Sequence, residues 1–130
     1  MTKRALVIGA GPSGLVCAKY LLSSSSSKDE HVSVTVLETC AKIGGTFTNK
    51  VYDNTRLVSS KYITAFSDYR MCVSSSSSSS SSSKSDDYYP DHPSAEQYVK
   101  YLEEYCNRFD LWKCIRFQCQ VISVSDASVD

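Results

Sequence analysis

The sequence has 130 residues, the length of one domain, and fifteen of them lie in two serine runs, 23–27 and 74–83. Fourteen basic and fourteen acidic residues cancel, which argues against a nucleic-acid partner or an anionic membrane surface. No apolar run reaches the length of a signal-peptide core or a transmembrane helix, so we expect a cytoplasmic protein.

The first third of the chain predicts a strand, a helix and a second strand. Residues 4–8 are apolar and end at a glycine, which is typical of a strand buried on both faces of a parallel sheet. Apolar residues then recur at helical spacing from Ser13, and valines alternate with small polar residues over 31–37. Residues 4–38 therefore form a βαβ unit, with the serine run 23–27 as a disordered insertion on the helix-to-strand connection.

The second serine run, 74–83, is too polar to bury itself, and we expect it to be disordered as well. Beyond it, Ser94 and Gln97 form a capping box that predicts the start of a helix ending near Asp110. Its apolar face is formed by Tyr98, Leu102, Tyr105 and Phe109. An alternating segment, 115–121, predicts a third strand before a polar tail.

Six cysteines occur without a secretory signal or a CxxC pair, which indicates free thiols and no metal site. Cys114 and Cys119 have the spacing of some redox-active pairs in flavin disulfide reductases. However, Cys119 falls on the apolar phase of the predicted strand, which favours packed thiols over a redox pair. We expect His31 and His92 to be surface residues, and no residue stands out as catalytic.

The motif Gly9-x-Gly11-x-x-Gly14 lies between the first strand and the helix, and Glu38 ends the second strand. In this context Gly9 permits a tight turn, Gly11 lets the main chain approach a pyrophosphate, and Gly14 lets helix and sheet pack closely. The carboxylate of Glu38 can accept hydrogen bonds from ribose hydroxyls and would repel a 2′-phosphate, which argues against NADP in this site. The alternative is a glycine turn without a ligand and with an exposed Glu38.

A second glycine cluster, Gly44-Gly45, follows Glu38 closely, so all five glycines of the chain lie in two short loops. These glycines would let the main chain approach a bulky ligand, and Phe47 offers a flat face near it. The alternative is an ordinary turn followed by a core phenylalanine.

These motifs together resemble the FAD-binding half of flavin-containing monooxygenases, whose pattern is GxGxxGL, then E, then GGxW. The chain has GAGPSGL at 9–15, Glu38, and IGGTF at 43–47. The similarity continues through Tyr52, SSKYITAFSDY, YYPDHPSAEQYVKYLEEYC and FDLWKCIRFQCQV, and so covers nearly the whole chain apart from the serine runs. The resemblance implies a Rossmann-like α/β FAD-binding domain of the three-layer type with a parallel sheet, incomplete in these 130 residues.

The resemblance also implies how FAD is bound and used. The implied cofactor-binding residues are Gly9, Ala10, Gly11, Pro12, Ser13, Gly14, Glu38, Gly45, Thr46, Phe47, Ser59 and Val121. The main chain of Val121 would meet the adenine. An intact relative, like an N,N-dimethylaniline monooxygenase, would take electrons from NADPH and oxygenate small soft nitrogen or sulfur nucleophiles with O₂ through a flavin hydroperoxide.

The chain departs from the family pattern in three ways. Val58 lies where the family has an asparagine near the flavin, and Phe47 replaces a tryptophan. The second glycine-rich motif, which binds NADPH, does not occur, so we expect one partial FAD-binding domain over 1–130 that is inactive alone. Two other hypotheses are a fragment of another two-dinucleotide flavoprotein, such as an amine or thiol oxidase, and a non-enzymatic nucleotide-binding remnant.

Overall fold

The computed structural model describes residues 2–24, 31–71 and 89–126, and it confirms the predicted α/β class with a parallel sheet. The whole second serine run, 74–83, and residues 25–27 of the first lie outside the described residues, so the disorder expected there lies outside them as well. The strands are β1 (Thr2–Ile8), β2 (His31–Leu37) and β3 (Ile115–Arg116). The helices are α1 (Pro12–Ser24), α2 (Thr46–Asn49), α3 (Lys61–Thr64) and α4 (Ala95–Arg108), with a 3-10 turn at Trp112–Cys114.

The three strands are parallel in the order β1-β2-β3, with Val7, Val36 and Ile115 in register across the sheet. These three side chains are buried on the face that α1 covers, where Leu15 and Ala18 are fully buried. Within the described residues β1 is an outer strand of the sheet, and because the strands are parallel their carboxyl ends lie along the same edge of the sheet. Ligands in such sheets bind at that edge, which is where the glycine loop lies.

The opposite face of the sheet is open, contrary to the prediction that β1 is buried on both sides. Leu6 and Ile8 point to that face and are 70% and 61% exposed. Their apolar character is typical of a covered strand, but among the described residues no element lies over them. Within the described residues, no helix combines the length and apolar character needed to cross a bilayer.

Helix α4 carries an aromatic core, because its tyrosines point inward. Tyr101 and Tyr105 are fully buried, and Phe66 packs against both rings. The Tyr101 hydroxyl accepts a hydrogen bond from the Phe66 N–H at 2.8 Å and donates one to the Tyr69 carbonyl at 2.6 Å. The FSDY segment, residues 66–69, is therefore fixed onto α4. Burial raises the pKa of the hydroxyl groups of Tyr101 and Tyr105.

Two local predictions need correction. Ser23 and Ser24 are not part of a disordered insertion, because they form the last turn of α1 with their hydroxyls bonded to carbonyls four residues earlier. The third strand covers only Ile115–Arg116 rather than 115–121, because Gln118 has a φ of 57° and turns the chain away.

The predicted capping box is present at the start of α4. The Ser94 hydroxyl accepts from the Gln97 N–H at 3.1 Å, and the Gln97 side chain accepts from the Ser94 N–H at 2.9 Å. We expect Ser94→Ala to lower the free energy of unfolding by about 1 kcal/mol, since one helix-start N–H loses its acceptor. Urea unfolding measures this, with Ser67→Ala at an exposed position as the control. Equal midpoints for the two variants would contradict the prediction.

Candidate functional site

The first glycine loop connects the end of β1 to the start of α1. The Gly9 N–H donates to the Leu37 carbonyl at 2.8 Å, which ties the loop to the end of β2, and its φ of 93° makes the tight turn that the motif predicts. Helix α1 then begins at Pro12, a residue suited to the first helical position because it has no N–H to satisfy.

Gly14 allows α1 to lie directly against the loop. A methyl group at position 14 would overlap the Gly9 carbonyl oxygen and would lie 3.5 Å from the Val7 side chain. The close helix-to-strand packing predicted for the third glycine is therefore present. It brings the amino end of a 13-residue helix to the loop.

Three main-chain N–H donors, in the loop and in the first turn of α1, are available to a ligand. Within the described residues, the main-chain N–H groups of Gly11, Ser13 and Gly14 have no protein acceptor. They lie where the helix dipole is positive, so their arrangement favours a phosphate or pyrophosphate group. The position above Gly11 is open, since a methyl group there would meet only the Gly45 Cα, at 3.9 Å.

The second glycine loop joins the first. The Gly44 N–H donates to the Ala10 carbonyl at 3.0 Å, and the main chain of Gly45 lies against that of Gly11. Helix α2 starts directly afterwards, with Thr46 exposed as its first residue. The two loops that contain every glycine of the chain therefore form one continuous surface beside the sheet edge.

Glu38 lies beneath this surface and is only 6% exposed, so the alternative of an exposed glutamate is wrong. One carboxylate oxygen accepts from the Ala10 N–H at 2.7 Å, and the other accepts from the Cys40 N–H at 2.8 Å. The carboxylate thus lies beside the first glycine loop, where the sequence predicts a contact with a ribose. The two main-chain donors were not foreseen.

Phe47 and the serine-lysine segment lie farther along the same side. The ring of Phe47 is half-buried and packs edge-on against Tyr98 at 4.8 Å between centroids, as a core phenylalanine does. The Ser59 hydroxyl shares a 2.6 Å hydrogen bond with Thr64, and Val58 is 98% exposed. Val58 therefore has no packing role among the described residues.

A buried lysine holds this segment, which sequence reasoning missed. Lys61 is 8% exposed and its ammonium donates to the Tyr89 carbonyl at 2.8 Å, with the Asp91 carboxylate at 3.6 Å. The Lys61 N–H also donates to the Asp91 carbonyl at 2.7 Å. The segment carrying Ser59 is thus joined to the chain that precedes α4. The sequence around it, two serines followed by Tyr62, does not indicate a buried lysine.

Val121 follows the turn at Gln118. The Glu38 N–H donates to the Arg116 carbonyl and the Cys119 N–H donates to the Glu38 carbonyl, both at 2.9 Å. The chain after β3 therefore runs beside Glu38, and Val121 is half-buried two residues later. Val121 therefore follows closely on the main-chain bond between Cys119 and Glu38.

Two of the described cysteines, Cys106 and Cys114, are buried thiols. Burial raises the pKa of the Cys106 thiol to about 12, and it raises the pKa of Cys114, so neither forms a thiolate readily. The Cys114 thiol donates to the Leu111 carbonyl, whereas that of Cys119 faces the Phe117 carbonyl. Cys114 and Cys119 are not joined by a disulfide, which favours the packed-thiol interpretation over a redox pair.

Comparison with known proteins agrees with this geometry. The family model described as flavin-binding monooxygenase-like matches residues 2–129. Monooxygenase ptmN of Penicillium ochrochloron is 43% identical over 119 residues, which cover 91% of this chain and 18% of the relative. Flavin-containing monooxygenase 1 of Canis lupus familiaris is 34% identical over 127 residues, covering 96% of this chain and 21% of the relative.

Solved structures share the fold. The S-allyl-L-cysteine S-oxygenase of Allium sativum superposes with a TM-score of 0.79 at 20% identity, covering 99% of this chain and 30% of that protein. OTEMO in complex with FAD and NADP superposes with a TM-score of 0.71 at 20% identity, covering 98% and 21%. The chain spans about a fifth of the length of the curated relatives that it matches.

Proposed function

This chain belongs to the flavin-binding monooxygenase-like family, and from that premise we propose that it forms the FAD-binding, N-terminal part of an NADPH-using monooxygenase. One observation carries the proposal. The N–H groups of Gly11, Ser13 and Gly14 have no acceptor within the described residues, and the space above Gly11 is open. A dinucleotide pyrophosphate matches these donors, because it supplies negatively charged oxygens as acceptors at a helix N-terminus.

We assign the residues around these N–H groups to the other parts of FAD. Glu38 would accept the ribose hydroxyls, and the main chain at Val121 would meet the adenine. Gly45 and Thr46 would face the pyrophosphate from the second loop, and Ser59 would lie toward the flavin. When bound and reduced, FAD supplies the electrons that activate O₂.

The finer assignments in this proposal come from the family resemblance. They are NADPH as reductant, small soft nitrogen or sulfur nucleophiles as substrates, a dimethylaniline-type specificity, and inactivity of these 130 residues alone. NADPH would bind to a part of the protein that this chain does not contain. The cytoplasmic location stays a prediction from the sequence.

The proposal is tested by flavin binding to the purified 130-residue chain. We expect a yellow protein after desalting, or stoichiometric uptake of added FAD, because the adenosine and pyrophosphate contacts lie within this chain. ADP should compete with FAD, whereas FMN, which lacks the adenosine, should not bind. 2′-Phosphoadenosine 5′-diphosphate should compete more weakly than ADP, since its 2′-phosphate would face Glu38.

A colourless protein that takes up neither FAD nor ADP would falsify the site. Asp53→Asn provides a control for the loss of one negative charge, since Asp53 is an exposed carboxylate in the turn 52–55, outside both glycine loops. Its FAD affinity should equal that of the unmodified chain. Steady NADPH turnover by the chain alone would contradict the part of the proposal that places NADPH elsewhere.

A further inference from the structure

Glu38 has contacts that a ribose ligand does not explain. Its two carboxylate oxygens accept hydrogen bonds from two different segments, the Ala10 N–H of the first glycine loop and the Cys40 N–H of the turn after β2. Both bonds join groups of the chain itself. A side chain selected only to meet a ligand would not need either of them.

The environment of the carboxylate makes these bonds important for the fold. Glu38 is 6% exposed, and none of the ion pairs among the described residues includes it. A buried carboxylate without a cationic partner is costly unless its oxygens are hydrogen-bonded. The two main-chain N–H groups meet that need, and bonds from N–H to a charged oxygen are stronger than neutral ones.

Ala10 transmits this constraint to the second glycine loop. It is fully buried, its N–H donates to Glu38, and its carbonyl accepts from the Gly44 N–H at 3.0 Å. The Glu38 main chain is bonded in turn to Arg116 at the end of β3 and to Cys119 after it. Glu38 therefore connects the first glycine loop directly, and the second through Ala10, to the segment that leads to Val121.

We propose that Glu38 is a positioning residue that assembles the nucleotide-binding loops before the nucleotide arrives. Each carboxylate oxygen has two lone pairs, and the main chain occupies one on each. The remaining lone pairs can accept the two ribose hydroxyls without breaking the bonds to Ala10 and Cys40. This last step rests on the proposed function, whereas the assembly of the loops does not.

The test is to measure, by NMR, the hydrogen exchange rates of the Ala10 and Cys40 amides in the flavin-free chain. We expect both amides to be protected without flavin, because both are bonded to Glu38. In Glu38→Gln, which keeps the size, the side-chain NH₂ must face one of the two N–H donors. Exchange at one or both amides should become at least about tenfold faster, and Tm should fall by about 4–8 °C.

Two results would overturn the inference. One is rapid exchange at Ala10 and Cys40 in the flavin-free unmodified chain with protection appearing only after FAD is added. The other is a Glu38→Gln variant with unchanged Tm and unchanged exchange. Asp53→Asn, at an exposed carboxylate outside both glycine loops, is the control for loss of one negative charge. If Glu38→Gln does not fold, amide protection in the flavin-free unmodified chain still tests the inference. Protected amides in a chain that takes up no FAD would contradict only the proposed function.

Discussion

Gly14→Ala is expected to destabilise the chain by about 3 kcal/mol or more, the largest effect of any single change considered for the glycine loops. The added methyl group would overlap the Gly9 carbonyl oxygen and lie 3.1 Å from its carbonyl carbon. Main chain cannot rotate away as a flexible side chain does, so α1 must move from β1. That movement separates Leu15 and Ala18 from the sheet that buries them.

The measurement is thermal unfolding of the flavin-free chain by circular dichroism. A loss of 3 kcal/mol corresponds to a fall in Tm of roughly 12 °C or more for a domain of this size. Gly11→Ala is the matched control, because the same methyl group there meets open space. If Gly14→Ala unfolds within about 2 °C of the unmodified chain, then α1 does not pack on the loop as the structure shows.

The elements that the sequence predicts well are those set by local rules. Strand β2 was predicted at its observed bounds, and the capping box at Ser94 and Gln97 is formed as predicted. In both cases the signal lies within a few consecutive residues, either as alternation or as a hydrogen-bonding pair three residues apart. Gly9 and Gly14 belong to the same class, since the tight turn and the close helix packing depend on neighbours in the strand and helix.

What was missed depends on contacts far apart in the chain. Lys61 is buried because the Tyr89 carbonyl and the Asp91 carboxylate lie beside it, and both are about thirty residues away. The early end of β3 depends on the left-handed conformation of Gln118, which no residue preference indicated. The Glu104 carboxylate accepts a hydrogen bond at 3.0 Å from the hydroxyl of Tyr89, fifteen residues earlier in the chain. Spacing along one helix does not reveal such partners.

The site shows the same division at Glu38. Its position at the end of β2 follows from the alternating valines, and its carboxylate indicated a ribose contact. Its burial and its bonds to Ala10 and Cys40 depend on how the glycine loop folds back over the sheet edge. The residue was therefore identified from sequence, whereas its positioning role required the structure.

Gly11→Ala is expected to separate binding from folding, because Gly11 is the one glycine that the fold itself does not require. Gly9, Gly44 and Gly45 have φ values of 93°, 108° and 59°, and Gly14 has no room for a methyl group. At Gly11 the φ is not positive, and the nearest atom to an added methyl group would be the Gly45 Cα at 3.9 Å. The fold therefore accepts alanine there, and only a ligand resting on the loop would exclude it.

We expect Gly11→Ala to leave the free energy of unfolding of the flavin-free chain within about 1 kcal/mol of the unmodified value, since alanine also restricts the unfolded chain. FAD affinity should fall at least about tenfold, or 1.4 kcal/mol, because the methyl group occupies the space proposed for the pyrophosphate. Ser13→Ala is the control, since it keeps the N–H donor and adds no atom above the loop. Unchanged FAD affinity in Gly11→Ala would show that the pyrophosphate does not lie on Gly11, and it would move the proposed binding surface away from the amino end of α1.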